Sequence, residues 1–297
     1  MGKNLLLKKW TIFDYINVCI LFILGAITLY PFYNVLIVSL NDPTDALTGG
    51  LFFFIRKFTF ANYIYFFNNN NFTQAFFISV SRTVLGAGAS VLFTAAFAYG
   101  MSKKRLVGRG LFMTIMLITI YVSGGLIPYF LLIKGIGLYK NFLVYIIPNL
   151  FNAYNAIIMM TFFRGIPGEI EESVKIDGAN DLTVFIRIIL PISMPVVATI
   201  ALFNAVWQWN SWFDAMIFGG RQLVPLQLLL VEIIRDVDMA TKLVMDALGS
   251  IARLHINPSV ESVKATAMAI TAIPIIMVYP FLQKYFVKGI MIGSLKG

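Results

Sequence analysis

The stretch that decides the fold is RGIPGEIEESVKIDGANDLTVFIRIILPISMP, residues 164–195. It is a polar island between two long apolar segments, and it holds five of the 14 acidic residues of the chain. Pro167 suits a first helical turn, and the acidic residues that follow suit the positive end of a helix dipole. Gly178 can take the left-handed conformation that ends a helix, and Asn180 or Asp181 can cap the next helix. The stretch therefore predicts two short helices that meet at a glycine.

Both helices carry an apolar face. Ile170 and Val174 are four residues apart in the first helix and share one side. The apolar side of the second helix consists of Val184, Phe185, Ile188 and Ile189. Pro191 is predicted to end this second helix. Each helix is thus left with apolar side chains that need a surface to pack on.

The composition points to the membrane. Hydrophobic residues make up 59% of the 297 residues and charged residues 12%, whereas a soluble domain has roughly twice that charged fraction. The net charge of +9 is expected to set orientation in the membrane and not to bind nucleic acid. One cysteine, Cys19, excludes a disulfide within the chain, and one histidine, His255, leaves little for histidine-based metal or triad chemistry.

Six apolar segments of approximately 20 residues or more predict six transmembrane helices. They cover residues 16–40, 76–99, 111–133, 142–163, 191–213 and 265–287. The first is longer than the apolar core of a signal peptide and is expected to be retained, with Pro31 as a kink. Residues 41–74 are expected to form a loop outside the membrane, with a short helix near residues 61–67. The whole chain, residues 1–297, is thus expected to be one all-α membrane domain.

Basic residues predict the orientation of this domain. Six spans place both termini on one side, and most of the basic residues fall there: Lys3, Lys8, Lys9, Lys103, Lys104, Arg105, Arg109, Arg164, Lys175, Arg187, Lys284, Lys288 and Lys296. The one short loop on the other side has only Lys134 and Lys140. By the positive-inside rule, both termini and the loop at residues 164–190 are expected to be cytoplasmic.

The loop at residues 164–190 resembles a known family. Glu172, then Gly178 six residues later, then Ile188, Leu190 and Pro191 match the EAA loop of permease subunits in binding-protein-dependent ABC importers. The surrounding IDGAN and ILPISMP resemble the sugar and oligosaccharide class of these permeases, whose fold is a six-helix, MetI-like bundle. One departure is that Ser173 and Val174 stand where the family usually has two alanines.

The resemblance implies that this loop docks on a transport ATPase and carries its motion into the membrane. The positions implied to make that contact are Glu172, Ser173, Asp177, Gly178, Ala179, Ile188, Leu190 and Pro191. Glu172 is expected to bond within the interface, and Gly178 to allow close approach. The alternative interpretation is a pair of surface helices that only cap the bundle.

The resemblance also implies partners in a bacterial inner membrane. These are a second homologous permease subunit, two ATPase subunits and an extracellular solute-binding protein that delivers a carbohydrate, with an oligosaccharide expected. The chain contains no GxxxxGK[ST] phosphate loop. ATP and Mg²⁺ are therefore expected to be used by the ATPase subunits, while this chain is expected to be no enzyme and to hold no cofactor or metal.

Candidates for the solute pathway lie in the fourth and fifth spans. They are Asn149, Asn152, Tyr154, Gln208, Trp209 and Asn210. Aromatic faces can stack on sugar rings and amides can bond to hydroxyls, and VWQWNSWFD (residues 206–214) resembles a segment of sugar permeases. The alternative is that Trp207, Trp209 and Trp212 form an interfacial aromatic belt. Arg82, near the start of the second span, is a functional candidate by its charge, but a structural role with its side chain reaching the headgroups is favoured.

Other transporter classes fit less well. A secondary transporter working alone needs ionisable residues at mid-membrane, and spans two to six contain no acidic residue. A permease for a non-sugar solute and a membrane protein that transports nothing are further alternatives. Residues 214–264 predict a long outer loop, helical in part over the bundle mouth and mobile around residues 247–259, that contacts the solute-binding protein.

Overall fold

The computed structural model describes residues 11–46, 50, 53–248 and 259–294. Thirteen α-helices lie within these ranges. They are α1 (Ile12–Ser39), α2 (Pro43–Ala46), α3 (Ala61–Phe67), α4 (Phe72–Ser102), α5 (Arg109–Tyr121), α6 (Leu126–Gly135), α7 (Ala153–Arg164), α8 (Gly168–Ile176), α9 (Asp181–Val184), α10 (Leu190–Ile192), α11 (Met194–Asn210), α12 (Leu226–Leu248) and α13 (Val260–Ser294). Short 3₁₀ turns lie at Phe142–Tyr145 and Ile147–Asn149, and π-helical turns at Phe185–Ile189 and Ala215–Gly219. Extended pairing in the described ranges is limited to one isolated bridge, Asn41 with Phe58, so the predicted all-α class is confirmed.

Three described helices are long and apolar enough to cross a membrane, namely Ile12–Ser39, Phe72–Ser102 and Val260–Pro280. Three further helix pairs qualify as broken spans. They are Arg109–Tyr121 with Leu126–Gly135, bent by 119°, Phe142–Asn149 with Ala153–Arg164, bent by 49°, and Asp181–Ile192 with Met194–Asn210, bent by 83°. The described residues thus hold up to six spans, and the bent pairs cover the third, fourth and fifth predicted ones.

The bends have local causes. In the third span the chain unwinds before Gly125, which has a φ of 78°, a conformation that glycine adopts readily. In the fourth span Pro148 lies in the 3₁₀ turn that precedes the bend. The predicted end of a helix at Pro191 is wrong, because the chain stays helical through Pro191 and bends at Ser193. The π-helical turn Phe185–Ile189 before the proline has wider hydrogen-bonded loops, which accommodate a ring that clashes with a regular helix.

Contacts within the chain separate into two compact units. The first unit comprises the described residues within 1–66 and 234–270. There the buried amide of Asn41 donates to Asp45 at 2.9 Å and accepts from the backbone N–H groups of Arg56 and Lys57 at 3.0 and 2.9 Å. This network orders the loop after α1, and the short helix predicted near residues 61–67 is confirmed as α3. The assignment of residues 1–297 to a single membrane domain stays a prediction.

The second unit comprises the described residues within 67–233 and 271–297. Its core forms where α4 packs against α7 and α11. Ala95 and Ala98 are fully buried on α4, and a Cβ at Gly86 would lie 2.6 Å from the Gln208 side chain of α11. Small residues therefore let these helices approach closely.

The predicted mobile part of the outer loop, at residues 247–259, falls almost entirely outside the described residues. The preceding part, residues 226–248, forms α12. A helical contribution to this loop is thus confirmed.

Candidate functional site

The candidate site is the helical bend at residues 168–189, which we call the elbow. Gly178 has a φ of 85°, and its N–H donates to the Lys175 carbonyl at 3.0 Å while the Ala179 N–H donates to the Val174 carbonyl at 3.3 Å. These two bonds are the Schellman pattern that ends a helix at a left-handed residue. The Oδ1 atom of Asn180 then accepts from the Thr183 N–H at 2.8 Å and caps α9. The predicted helix–glycine–helix arrangement is confirmed.

One face of the elbow packs on the bundle core. Val184, Phe185 and Ile189 are buried with residues of α4, α7 and α11. Val174 and Ala179 are partly buried against the same cluster. The apolar face predicted for the second helix is therefore buried in the helical core, and this packing holds the elbow to α4, α7 and α11.

The opposite face of the elbow is open. Its apolar side chains Ile176, Leu182 and Ile186 are 86%, 65% and 52% exposed. Glu172 and Asp177 are exposed as well. Apolar and acidic groups thus stand side by side on a surface, which is the composition of a protein–protein contact and not of a lipid-facing helix.

The eight positions matched to the EAA loop divide between these two faces. Those exposed are Glu172, Ser173, Asp177, Gly178 and Pro191. Those partly buried are Ala179, Ile188 and Leu190. A Cβ at Gly178 would meet no described atom within 4 Å, so within this chain only its positive φ requires glycine there.

A salt bridge spans the bend. Lys175 Nζ lies 2.6 Å from the carboxylate of Asp181, which links α8 to α9. The hydrogen bond to Asp181 raises the pKa of Lys175, because it favours the charged ammonium. Because both side chains are largely exposed, the pair adds orientation and little stability.

A charged cluster lies far from the elbow in the same unit. Arg82 of α4 is fully buried; its Nε and Nη2 donate to Gln208 Oε1 at 3.1 Å each, and Nη2 donates to Asp214 Oδ2 at 2.6 Å. The guanidinium also lies 4.3 Å from the centre of the Tyr145 ring. The expected reach of the Arg82 side chain toward the headgroups is wrong, because this side chain is fully buried within the chain. Its pairing and hydrogen bonds are what a buried charge requires for stability.

Two predicted pathway residues of α11 serve packing within this unit. Gln208 is 2% exposed and donates from Nε2 to the Tyr145 carbonyl at 2.9 Å. Trp209 is 6% exposed and donates from Nε1 to the Thr271 carbonyl at 3.1 Å. Asn210, in contrast, is exposed, and its side chain donates to the Val206 carbonyl at 2.9 Å. Of the three, only Asn210 presents its side chain to a surface of this chain.

The pathway candidates from the fourth span also differ in setting. Asn149 is partly buried and donates to the Tyr145 carbonyl at 3.1 Å. Asn152 caps α7 by accepting from the Asn155 N–H at 3.0 Å. Tyr154 is 63% exposed. Their assignment to a solute pathway stays a prediction.

An exposed face of α11 combines the predicted Asn210 and Trp207 with Phe203, which sequence reasoning did not single out. Phe203 and Trp207 are 46% and 50% exposed, and together with Asn210 they line a shallow cavity of about 520 Å³. Their spacing of four and three residues places them on one side of a helix. Gln208 and Trp209, of the same residue types, are buried on the other side of α11, so spacing alone does not show which side is exposed.

The chain is similar to known proteins along most of its length. Residues 86–292 match the family described as "Binding-protein-dependent transport system inner membrane component". Protein LplC of Bacillus subtilis is 36% identical over 293 residues, which cover 98% of this chain and 97% of LplC. The polygalacturonan/rhamnogalacturonan transport system permease protein YtcP of Bacillus subtilis is 35% identical over 290 residues, which cover 97% of this chain and all of YtcP.

A crystal structure is also similar along nearly the whole length. It is that of a bacterial ABC transporter involved in the import of the acidic polysaccharide alginate, with a TM-score of 0.81 and 31% sequence identity over 93% of this chain and 96% of that chain. The elbow, residues 168–189, lies within residues 86–292, the part of the chain that matches the family. The chain accordingly belongs to the family of inner-membrane components of binding-protein-dependent transport systems, as the elbow sequence predicted.

Proposed function

We propose that this chain is a permease subunit of an ATP-driven importer that carries an oligosaccharide across a bacterial inner membrane. The observation that carries the proposal is the elbow, which is anchored in the bundle by one face and exposes apolar and acidic groups on the other. Carbohydrate as the solute is supported by the relative YtcP and the alginate transporter, whose names specify polysaccharides.

The open face of the elbow docks on an ATPase subunit. Ile176, Leu182 and Ile186 supply the apolar contact, and Glu172 bonds at its edge. ATP and Mg²⁺ are bound by two such ATPase subunits and not by this chain. Both chain termini and the elbow lie in the cytoplasm, as the distribution of basic residues indicates.

The solute passes between this chain and a second homologous permease subunit. A binding protein delivers it to the outer face. When the ATPases close around ATP, the elbow moves and the pathway opens outward; hydrolysis returns it to the inward-facing state. Contacts with sugar rings and hydroxyls select the class of solute that is transported. The chain contributes solute binding and motion, and no covalent chemistry.

The exposed side of α11 is the surface of this chain best suited to a sugar. Aromatic side chains at Phe203 and Trp207 offer ring faces, and the Asn210 amide offers a donor and an acceptor. The buried Gln208 and Trp209 support this face by fixing α11 to its neighbours. Trp207→Ala is expected to reduce the rate of oligosaccharide uptake without loss of assembled transporter.

Uptake in proteoliposomes tests the solute face. The control is Trp212→Ala, an indole that is 37% exposed and lies outside this cavity. A set of neutral and acidic oligosaccharides, presented on the loaded binding protein, defines the solute class. Equal uptake by Trp207→Ala and the unaltered chain would move the pathway away from this face of α11.

The docking of the elbow is tested by copurification. An affinity-tagged copy of this chain, coexpressed with its second permease and candidate ATPases, is expected to retain an ATPase after extraction into mild detergent. Retention of the second permease without any ATPase would contradict the proposal.

A further inference from the structure

The last turn of α4 contacts the elbow through an aromatic and a cationic side chain. Tyr99 is 8% exposed, and its ring stacks on Phe185 with 5.0 Å between centroids and 29° between planes. The same ring meets Phe163 of α7 edge-on at 6.4 Å. Lys103, which follows the end of α4, places Nζ 3.9 Å from the centre of the Tyr99 ring, within cation–π distance.

Lys103 also reaches the first helix of the elbow. Its Nζ donates to the carboxylate of Glu171 in α8. The two side chains are 31% and 20% exposed, so water screens this pair less than a pair on an open surface. A cation at this place is further favoured by the C-terminal end of the α4 dipole. Lys103 thus connects α4 to α8, and Tyr99 connects α4 to Phe185 in the second half of the elbow.

The neighbouring residues make no comparable link. Lys104 and Glu172 are exposed, and no hydrogen bond or salt bridge of either side chain is found within the described ranges. The Tyr99 hydroxyl is buried without a hydrogen-bond partner among the described residues. The ring of Tyr99, and not its hydroxyl, therefore makes the contact.

α4 is a single unbroken helix of 31 residues. It carries Tyr99 near one end and Arg82 closer to the other, and 17 residues of helix span about 26 Å. Arg82 holds α11 through Gln208 and is paired with Asp214. Because α4 is continuous, it can carry a displacement of its last turn to the charged cluster.

We propose that Lys103 and Tyr99 are positioning residues that transmit the motion of the elbow to α4 during transport. This inference rests on the proposed function, because it requires the elbow to move with an ATPase. It concerns how the elbow is joined to the bundle and not how it docks. Loss of the link is expected to leave the ATPase bound while hydrolysis and transport become uncoupled.

Charge reversal in the complete reconstituted transporter tests the lysine. Lys103→Glu and Glu171→Lys are each expected to retain the ATPase but to lower the amount of solute imported per ATP about 5-fold or more, the lower end of coupling between sites. The double variant restores opposite charges and is expected to regain most of the ratio. Lys104→Glu is the matched control, since that lysine is adjacent and exposed.

A second pair of variants tests the contact of the Tyr99 ring. This test remains valid even if the charge-reversal variants fail to assemble. Tyr99→Phe keeps the stack on Phe185 and the site for Lys103, and is expected to import as much solute per ATP as the unaltered chain. Tyr99→Leu removes the ring and is expected to lower that ratio with the ATPase still bound.

The outcomes separate this inference from the proposed function. An unaltered transporter that binds no ATPase would overturn the proposed function itself. An unaltered transporter that works, together with Lys103→Glu and Tyr99→Leu variants that keep the parental import per ATP, would overturn only the link. Losses in the single charge variants that the double variant does not repair would also overturn the role of the Lys103–Glu171 pair.

Discussion

Arg82 is a fully buried guanidinium whose partners come from distant parts of the chain. Gln208 and Asp214 lie 126 and 132 residues away in sequence. No local pattern around Arg82 shows this pairing, so sequence reasoning could identify the charge but not its partner. The reach to the headgroups expected from its position near a helix end was wrong for this reason.

Removing Arg82 is expected to destabilise the protein through the acid that it leaves behind. Arg82→Met leaves the Asp214 carboxylate, 21% exposed, without its cation, and should lower the free energy of unfolding by about 3–5 kcal/mol. Arg82→Met combined with Asp214→Asn should recover part of that loss. Unfolding in detergent measures both, and a double variant less stable than Arg82→Met would contradict the pairing.

Gly86 of α4 lies directly against the Gln208 side chain of α11. A methyl group there would lie 2.6 Å from Gln208 Nε2 and 3.3 Å from its Cγ, and Gln208 cannot move away without losing its bonds to Arg82 and to the Tyr145 carbonyl. Gly86→Ala should therefore cost about 1–3 kcal/mol in spite of its better helix propensity. Gly88→Ala is the matched control, since nothing lies within 4 Å of its added carbon. Equal melting temperatures for the two variants would refute the close contact.

At the scale of elements, the elbow was predictable because its rules are local. A glycine that ends one helix and an asparagine that caps the next are read from a few neighbouring residues. The bends in the third and fourth spans lie beside Gly125 and Pro148, residue types that mark a break in a helix. The angles of the bends, and the position of the third bend at Ser193 and not at Pro191, were not predictable from the apolar segments alone. The face of α11 that is exposed could not be chosen either, since tryptophan and amide side chains occur on both of its sides.

Gly178 gives the most direct test of the elbow as a docking element. Gly178→Asp places a charged side chain on the open face. This variant is expected to remain in the membrane but to lose both the bound ATPase and transport. Gly137→Asp is matched, because Gly137 also has a positive φ, 77°, with nothing within 4 Å, so backbone strain is common to both. Copurification of the ATPase and uptake are measured for the two variants. Normal uptake by Gly178→Asp would contradict the docking role.

At the scale of the whole molecule, the class and family followed from the sequence because composition and one long motif carry them. The orientation in the membrane stays a prediction from the basic residues. The contact of the outer loop with the binding protein stays a prediction too, since it depends on residues beyond the end of α12.

Cysteine labelling measures the orientation. In a Cys19→Ser background, cysteines in place of Lys104 and Asn180 are expected to be protected from an impermeant thiol reagent in intact cells, and a cysteine in place of Asp236 is expected to react. All three positions are exposed in the structure, so protection reports the side of the membrane and not burial. The reverse pattern would overturn the assignment of the termini and the elbow to the cytoplasm.

The central claim is that this chain imports an oligosaccharide only as part of an ATP-driven assembly, and import into proteoliposomes measures it most directly. The vesicles contain this chain, its second permease and the ATPase subunits, with ATP and Mg²⁺ available to the ATPases and loaded binding protein on the opposite side. The account predicts that labelled oligosaccharide accumulates inside the compartment that holds the ATPases, and that accumulation stops when either ATP or the ATPase subunits are left out. Accumulation by this chain with an ion gradient and no ATPase would contradict the account.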